Sequence, residues 1–345
     1  MKNSYHTVKI NNLGLQLLKM ILCFWVVLIH TIQISNKILY KLLFIRKFHV
    51  PTFFLMSFFF VSKSITERNI PKIKSRFERL FIPYLFLPLI IWIVNNVIYI
   101  FYKFNRFGRI LTIKDLFIQY LIGHSFHRIF WFQFNLIFIT LIFFILSFLF
   151  KKRIIFILHL SIIISYLLQY SGYNTKLFME YNYLIKFPLE NIVEVFPCCV
   201  YGFFFGFFNI IKIMNNNQFK IIFFSIIYIY FLFYFDIFIE IKVYYGGLLN
   251  NIGSIFLFIC FSLIPFKINK SNCALLFIKL ISNYTGGIYY FHKILLDNIK
   301  SSNINVKIFR NKSFTKAIII YLISYIICYI GIKIFGKTKL KYIFI

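Results

Sequence analysis

Acidic residues are scarce in this chain, and so is charge altogether. Only 9 Asp and Glu stand against 39 Lys and Arg in 345 residues, and charged residues make up 14%. Soluble globular domains carry about a quarter charged residues, so the composition excludes that class. Despite the net charge of +30, nucleic acid is not a predicted partner, because no soluble basic domain is present to bind it.

Motifs that mark several enzyme classes are also absent. The chain contains no GxSxG elbow, P-loop or HExxH, so it gives no support for a hydrolase, an ATPase or a metalloprotease. The six cysteines lack the spacing of metal ligands, and the histidine pair His124 and His127 has no third ligand nearby in sequence. We therefore predict no metal site and no permanently bound cofactor.

Long apolar runs dominate what is present. Hydrophobic residues make up 61% of the chain, and the runs reach roughly 18 to 24 residues, the length of a membrane-spanning helix. They do not alternate with polar residues as the strands of a membrane barrel do. The sequence predicts an all-α integral membrane protein: one domain over residues 1–345, forming a single bundle of about ten transmembrane helices. The predicted spans are 13–34, 42–62, 80–102, 129–150, 154–170, 189–211, 219–238, 247–266, 274–296 and 316–336.

Basic residues divide nearly evenly between the two predicted sides, so their number does not set the orientation. The compact basic clusters at 63–79, 151–153 and 333–341 all fall on the same side when the N-terminus is inside. We therefore predict a multi-pass protein of the cell (inner) membrane, in contact with membrane lipids, with both termini in the cytoplasm.

A stripe of polar residues runs along the first predicted span. Gln16, Lys19, Cys23, His30 and Gln33 follow one another at helical spacing, so they share one face. Polar groups in a membrane helix usually face the bundle interior or a water-filled cavity. The alternative is that Lys19 extends to the inner surface and His30 marks the outer boundary.

A basic face precedes the third predicted span. Lys72, Arg76 and Arg79 stand at positions i, i+4 and i+7 of a helix. Guanidinium groups suit phosphate oxygens, which indicates a phosphate-bearing ligand. Anchoring to anionic lipids is the alternative.

Four sequence elements, in order, resemble those of the membrane-bound acyltransferase type 3 family, which includes bacterial enzymes that O-acetylate cell-surface polysaccharides. They are Lys19 and His30 with ten residues between them, 50–57 (VPTFFLMS), 76–84 (RFERLFIPY) and 287–292 (GIYYFH). Trp131 at the start of the fourth span also fits. The chain departs from the family pattern at Gln16, where Asp is common, and at Phe58, where Gly is common.

The resemblance implies an acyl-CoA-dependent O-acyltransferase (EC 2.3.1.-). Such an enzyme would move an acyl group, expected to be acetyl, from cytosolic acyl-CoA to a hydroxyl of a cell-surface or lipid-linked glycan. Acetyl-CoA or another acyl-CoA is then the co-substrate and the glycan the acceptor. His30 is the candidate catalytic base, since the pKa of imidazole lies near working pH. The remaining candidates are donor-binding Lys19, Arg76 and Arg79, and cavity-lining Gln16, Ser57, Tyr84, Trp131 and His292.

Two other functions stay open at this point. A transporter or flippase for a lipid-linked saccharide would also have many spans, a basic inner face and polar groups within the membrane. A non-catalytic membrane scaffold would explain the stripe on the first span as helix-packing polarity.

Overall fold

The computed structural model describes most of the chain, and within the described part every regular element is helical. The described residues are 13–31, 48–102, 109–123, 128–150, 153–170, 183–239, 248–264, 273–301 and 313–345. The α-helices in chain order are α1 Leu13–Thr31, α2 His49–Thr66, α3 Ile70–Tyr102, α4 Ile113–Ile122, α5 Trp131–Phe150, α6 Ile154–Tyr170, α7 Tyr183–Phe207, α8 Ile210–Met214, α9 Gln218–Ile239, α10 Leu248–Leu263, α11 Cys273–Ser282, α12 Thr285–Ser301 and α13 Ser313–Phe335. The predicted all-α class is confirmed.

Fewer helices meet the length and hydropathy of a membrane span than the sequence predicted. Within the described ranges, Leu13–Thr31, Ile70–Phe101, Trp131–Phe150 and Phe314–Phe335 are long and apolar enough to cross a membrane. The pair Ile192–Phe207 and Ile210–Leu232, bent by 67°, gives a fifth if it counts as one span. The predicted number of ten spans is therefore not confirmed, although the helices do suit a membrane.

Two predicted spans, the sixth and the ninth, are interrupted by breaks at asparagine residues. Asn209 adopts a left-handed backbone with φ of 52° and ends α7 inside the predicted sixth span, a conformation that Asn tolerates better than most residues. The predicted ninth span is divided into α11 and α12 at Asn283 and Tyr284, whose amides donate to the carbonyls three residues earlier.

The third helix is longer than a bilayer is thick. At 33 residues and about 1.5 Å per residue, α3 is about 50 Å long, against about 30 Å for the hydrocarbon core. Its first turns carry Lys72, Arg76 and Arg79, and the excess length allows these cations to lie outside the hydrocarbon core.

Close packing at the centre depends on two glycines of α7. A Cβ on Gly202 would lie 2.1 Å from the carbonyl oxygen of Leu55, and one on Gly206 would lie 2.4 Å from that of Phe59. The spacing is that of the GxxxG pattern, which lets membrane helices approach closely. Phe58, where the family commonly has Gly, is fully buried and packs on Phe143 with ring centroids 4.8 Å apart. The short residues at this contact are therefore on α7, opposite α2.

Candidate active site

The middle of the polar stripe of α1 faces the bundle interior. Cys23 is fully buried, and its Sγ lies 3.5 Å from the carbonyl oxygen of Thr285 at the start of α12. One turn earlier, Lys19 lines a cleft, and two turns later the exposed His30 ring stacks on a ring of α12. The geometry thus agrees with an interior-facing stripe at Lys19 and Cys23, whereas His30 stands at an exposed end of the stripe. Gln33 lies outside the described residues.

A large cleft opens beside Lys19. Its volume is about 1840 Å³, and its walls come from α1, α2, α3 and α12, from Tyr342 and Ile345 near the end of the chain, and from neighbouring helices. Glu67 is the one acidic side chain in the walls, and it pairs with Lys63 at 3.6 Å. The basic side chains in the walls are Lys19, Lys63, Lys72, Arg76, Arg79 and Lys212. Such a surplus of positive charge in a concave surface attracts a polyanionic ligand.

The two arginines of α3 differ in how their guanidinium groups are held. Arg76 donates from Nη2 to Ser57 Oγ at 2.9 Å, from Nη1 to the Ser57 carbonyl at 3.3 Å and from Nε to Thr140 Oγ1 at 3.1 Å. Arg79 donates only from Nε, to the Ser75 carbonyl at 3.3 Å. Among the described residues its terminal nitrogens have no partner, so they are available to a ligand.

Lys19 is the third cation of this group. Its ammonium makes no hydrogen bond or ion pair within the described part of the chain, and it lies close enough to Arg79 for their charges to interact. Two neighbouring positive charges without a counter-ion are unfavourable. An anion in the cleft would relieve this repulsion, which is the arrangement expected of a phosphate-binding site.

At the other end of α1, two histidines stack. The ring centroids of His30 and His292 are 5.4 Å apart with an interplanar angle of 29°. His292 is fully buried, whereas His30 is exposed. The Nδ1 atom of His292 lies 3.1 Å from the Ile288 carbonyl. A carbonyl only accepts hydrogen bonds, so Nδ1 carries the proton, and Nε2 of the neutral ring is left as an acceptor.

Nε2 of His292 is buried and has no hydrogen-bond partner among the described residues. Buried polar atoms in folded proteins nearly always have one. This acceptor lies next to the exposed His30 ring and offers a hydrogen-bond acceptor at that point of the bundle.

Three aromatic side chains separate the cleft from the histidine pair. Phe53, Phe132 and Tyr289 all line the cleft. The Phe132 ring is 6.2 Å from that of Phe53 and 5.3 Å from that of Tyr289, and the Tyr289 ring is in turn 5.9 Å from that of His292. These rings therefore join the cleft to the histidine pair through packed contacts.

The remaining predicted residues are distributed unevenly. Ser57 lines the cleft, whereas Gln16, Tyr84, Trp131 and His292 are not among its walls. The Tyr84 hydroxyl donates to the Tyr120 carbonyl at 2.7 Å and so fixes α4 to α3. Trp131 packs against the central core, and the Gln16 Oε1 is buried with no hydrogen-bond partner in the described ranges. The loop histidines His124 and His127 lie outside the described residues.

Some site residues were not singled out by the sequence. Thr140 lies in a long apolar run and Phe132 is one of 50 Phe, whereas Tyr289 lies within the 287–292 element but had no role assigned to it. Their roles follow from which helices are neighbours. Only Trp131, adjacent to Phe132, drew attention to this part of α5.

A comparison with protein families agrees with this geometry. The family model described as an acyltransferase domain, that of acyltransferase type 3, matches residues 12–333. The chain belongs to the acyltransferase type 3 family. No curated protein and no solved structure matches the chain significantly.

Family membership decides between the functions left open by the sequence. It makes the chain a membrane acyltransferase with several membrane-spanning helices, rather than a lipid-linked saccharide transporter or a scaffold. The matched residues include both ends of α1, the arginines of α3 and His292 of α12, so the candidate cations and histidines lie within the family domain.

Proposed function

We propose that this acyltransferase takes an acyl group, acetyl in the simplest case, from cytosolic acyl-CoA and transfers it to a hydroxyl of a cell-surface or lipid-linked glycan. The observation that carries the proposal is the pairing of a cationic cleft with a histidine pair along the same helix. Lys19 and His30 are eleven residues apart, about 16 Å along α1. The cell (inner) membrane and cytoplasmic termini complete the proposal.

The cleft suits the donor because CoA carries three phosphate groups. Lys19 and the terminal nitrogens of Arg79 line the cleft without a partner in the described part of the chain, and Lys72 lines the same cleft. Arg76 is held by Ser57 and Thr140, so its role is to fix α3 against α2 and α5 while adding positive charge. The donor phosphates would bind at this cytosolic mouth, with the thioester extending toward the histidines.

The histidine pair suits the transfer step. The acceptor hydroxyl oxygen attacks the thioester carbonyl carbon while His30 accepts the hydroxyl proton. The carbon–sulfur bond then breaks, and the proton passes from His30 to the departing thiolate. The His292 ring stacks on the exposed His30 ring and would hold it in place, and the Ile288 carbonyl fixes the tautomer of His292. No metal ion takes part in this scheme.

The test is acyl transfer by the purified protein in liposomes. Radiolabelled acetyl-CoA is supplied with lipid-linked glycans extracted from the native membranes, and label in the glycan is measured. His30→Ala is expected to lower the rate by about 100- to 10,000-fold, while the donor still raises the melting temperature. His159→Ala is the matched control, because His159 is an exposed histidine that stacks on Phe204 away from the site.

Two results would contradict the proposal. If His30→Ala transfers the acyl group at the wild-type rate, His30 is not the catalytic base. A wild-type protein whose melting temperature responds to lipid-linked saccharide but not to acetyl-CoA excludes the CoA donor.

A further inference from the structure

The last ten residues fold back onto the cleft. Residues 336–345, called here the C-terminal segment, follow α13 and lie beyond the family match, which ends at residue 333. Thr338 begins a 3-10 turn over Lys339–Ile343 by accepting a hydrogen bond from the Leu340 amide at 3.2 Å. The segment packs against α3, α12 and α13.

Aromatic stacking holds the segment in place. The Phe344 ring lies between two others: 5.7 Å from Phe335 at an interplanar angle of 4°, and 5.6 Å from Phe291 at 11°. Ile343 is 5% exposed and joins the apolar cluster that contains Tyr84. The segment is therefore an integral part of the core rather than a tail on its surface.

The backbone of the segment sits directly on α12. A Cβ on Gly286 would lie 2.2 Å from the Ile345 backbone oxygen, and one on Gly287 would lie 2.7 Å from that of Phe344. Any side chain at either position would displace the segment. These two glycines precede the Ile288–His292 turn, so the segment packs next to the turn that fixes the tautomer of His292.

An ion pair connects the segment to the helix that carries the arginines. Lys339 Nζ lies 2.7 Å from Glu78 Oε1, and this carboxylate raises the pKa of Lys339. Glu78 immediately precedes Arg79 in α3. The ion pair therefore connects the C-terminal segment to the turn of α3 that carries Arg79.

Two side chains of the segment reach the cleft. Tyr342 and Ile345 stand in the same walls as Arg79 and Lys19. Both are uncharged, in contrast to the basic residues of α2 and α3. The walls thus combine a cationic part with an apolar and aromatic part, which matches a donor with charged phosphates and an uncharged remainder.

We propose that the C-terminal segment is a wall of the donor site, in which Tyr342 contacts the uncharged part of the acyl donor and sets donor affinity. The proposal rests on the assignment of the cleft to acyl-CoA. The C-terminal segment would then be a binding element outside the family domain. The Glu78–Lys339 ion pair would hold it in a fixed position relative to Arg79.

The first test measures donor affinity in the purified full-length protein with acetyl-CoA. Tyr342→Ala is expected to raise the KM for acetyl-CoA about tenfold and leave kcat at saturating donor unchanged. Tyr329→Ala is the matched control, since Tyr329 lies on the exposed side of α13 and does not line the cleft. If Tyr342→Ala fails to fold, Tyr342→Leu removes the ring with a smaller change in volume.

The second test exchanges the charges of the ion pair. Glu78→Lys and Lys339→Glu are each expected to raise the donor KM severalfold, and the double exchange is expected to return it to within about twofold of wild type. Failure of the double exchange to restore affinity would overturn the role of the pair.

Arg79→Ala distinguishes the wall proposal from the assignment of the cleft to the acyl donor. An unchanged KM in Tyr342→Ala with a raised KM in Arg79→Ala overturns the wall proposal alone. An unchanged KM in both overturns the assignment of the cleft to the donor, and the wall proposal with it.

Discussion

The two ends of α1 hold their polar groups in opposite ways. At the Lys19 end, cations line an open cleft, and Lys19 and the terminal nitrogens of Arg79 have no partner among the described residues. At the His30 end, one ring is stacked on a fully buried second ring whose tautomer is fixed. A large anionic ligand needs charges that are open to it, whereas proton transfer needs a group in a fixed geometry. Under the proposed function, donor binding and proton transfer are therefore separated along the helix.

Removing Arg79 should change donor binding at the cleft and leave the histidine end unaffected, and it gives the largest expected effect after that of His30→Ala. Hydrogen bonds to charged groups contribute about 1.5–3 kcal/mol, so Arg79→Ala should raise the KM for acetyl-CoA by about 10- to 150-fold with kcat nearly unchanged. Steady-state kinetics in liposomes measure both constants. A fall in kcat without a change in KM would break the separation between the two ends.

Removing Arg76 should destabilise the fold rather than weaken donor binding. Its three hydrogen bonds join α3 to Ser57 and Thr140. Arg76→Ala should lower the free energy of unfolding by about 2 kcal/mol, measured by denaturation in mixed micelles. A donor KM raised as much as in Arg79→Ala, with stability unchanged, would show that the two arginines have the same role.

Changing His292 should affect the histidine end alone. His292→Phe keeps an aromatic ring beneath His30 but loses Nε2, whereas His292→Ala loses both. We expect kcat to fall about tenfold in His292→Ala, equivalent to about 1.4 kcal/mol, with an unchanged donor KM. Activity in His292→Phe near that of wild type would assign the effect to stacking, and activity near that of His292→Ala would assign it to Nε2.

An ion pair that belongs neither to the cleft walls nor to the histidine pair provides the smallest effect. Arg109 bonds both carboxylate oxygens of Asp115 at 2.8 Å, and this contact, with Thr112, holds the pKa of Asp115 well below its usual range. Because the folded-state pKa is lowered, the ionised carboxylate stabilises the fold at neutral pH, and this contribution is lost as pH falls below the unfolded-state value.

Asp115→Asn should therefore cost about 0.2–1 kcal/mol at pH 7 and nothing once Asp115 is protonated in the folded state. Unfolding in mixed micelles across the acid range measures the difference. A changed kcat or donor KM in this variant would show that α4 is coupled to the site.

Much of the site could be predicted from the sequence because helical spacing fixes which residues share a face. Lys19 and His30 stand on the predicted stripe, and Lys72, Arg76 and Arg79 reach one cleft as their spacing indicates. The ends of the helices were less predictable. Asn209 and Asn283 end helices within apolar runs, because local backbone geometry, and not hydropathy, decides where a helix stops.

The close contact of α7 with α2 did have a signal in the sequence, the Gly202 and Gly206 pair. Its partner helix did not, because a GxxxG pattern does not identify the surface against which it packs.

The sequence by itself determined the all-helical membrane class, the family and the two ends of the α1 stripe, since composition and spacing are properties of the chain. Only the tertiary structure decided that Arg76 is held by Ser57 and Thr140 while Arg79 faces the cleft, and that His292 lies beneath His30. These contacts join residues tens to hundreds of positions apart, and only the packing of helices brings such residues together.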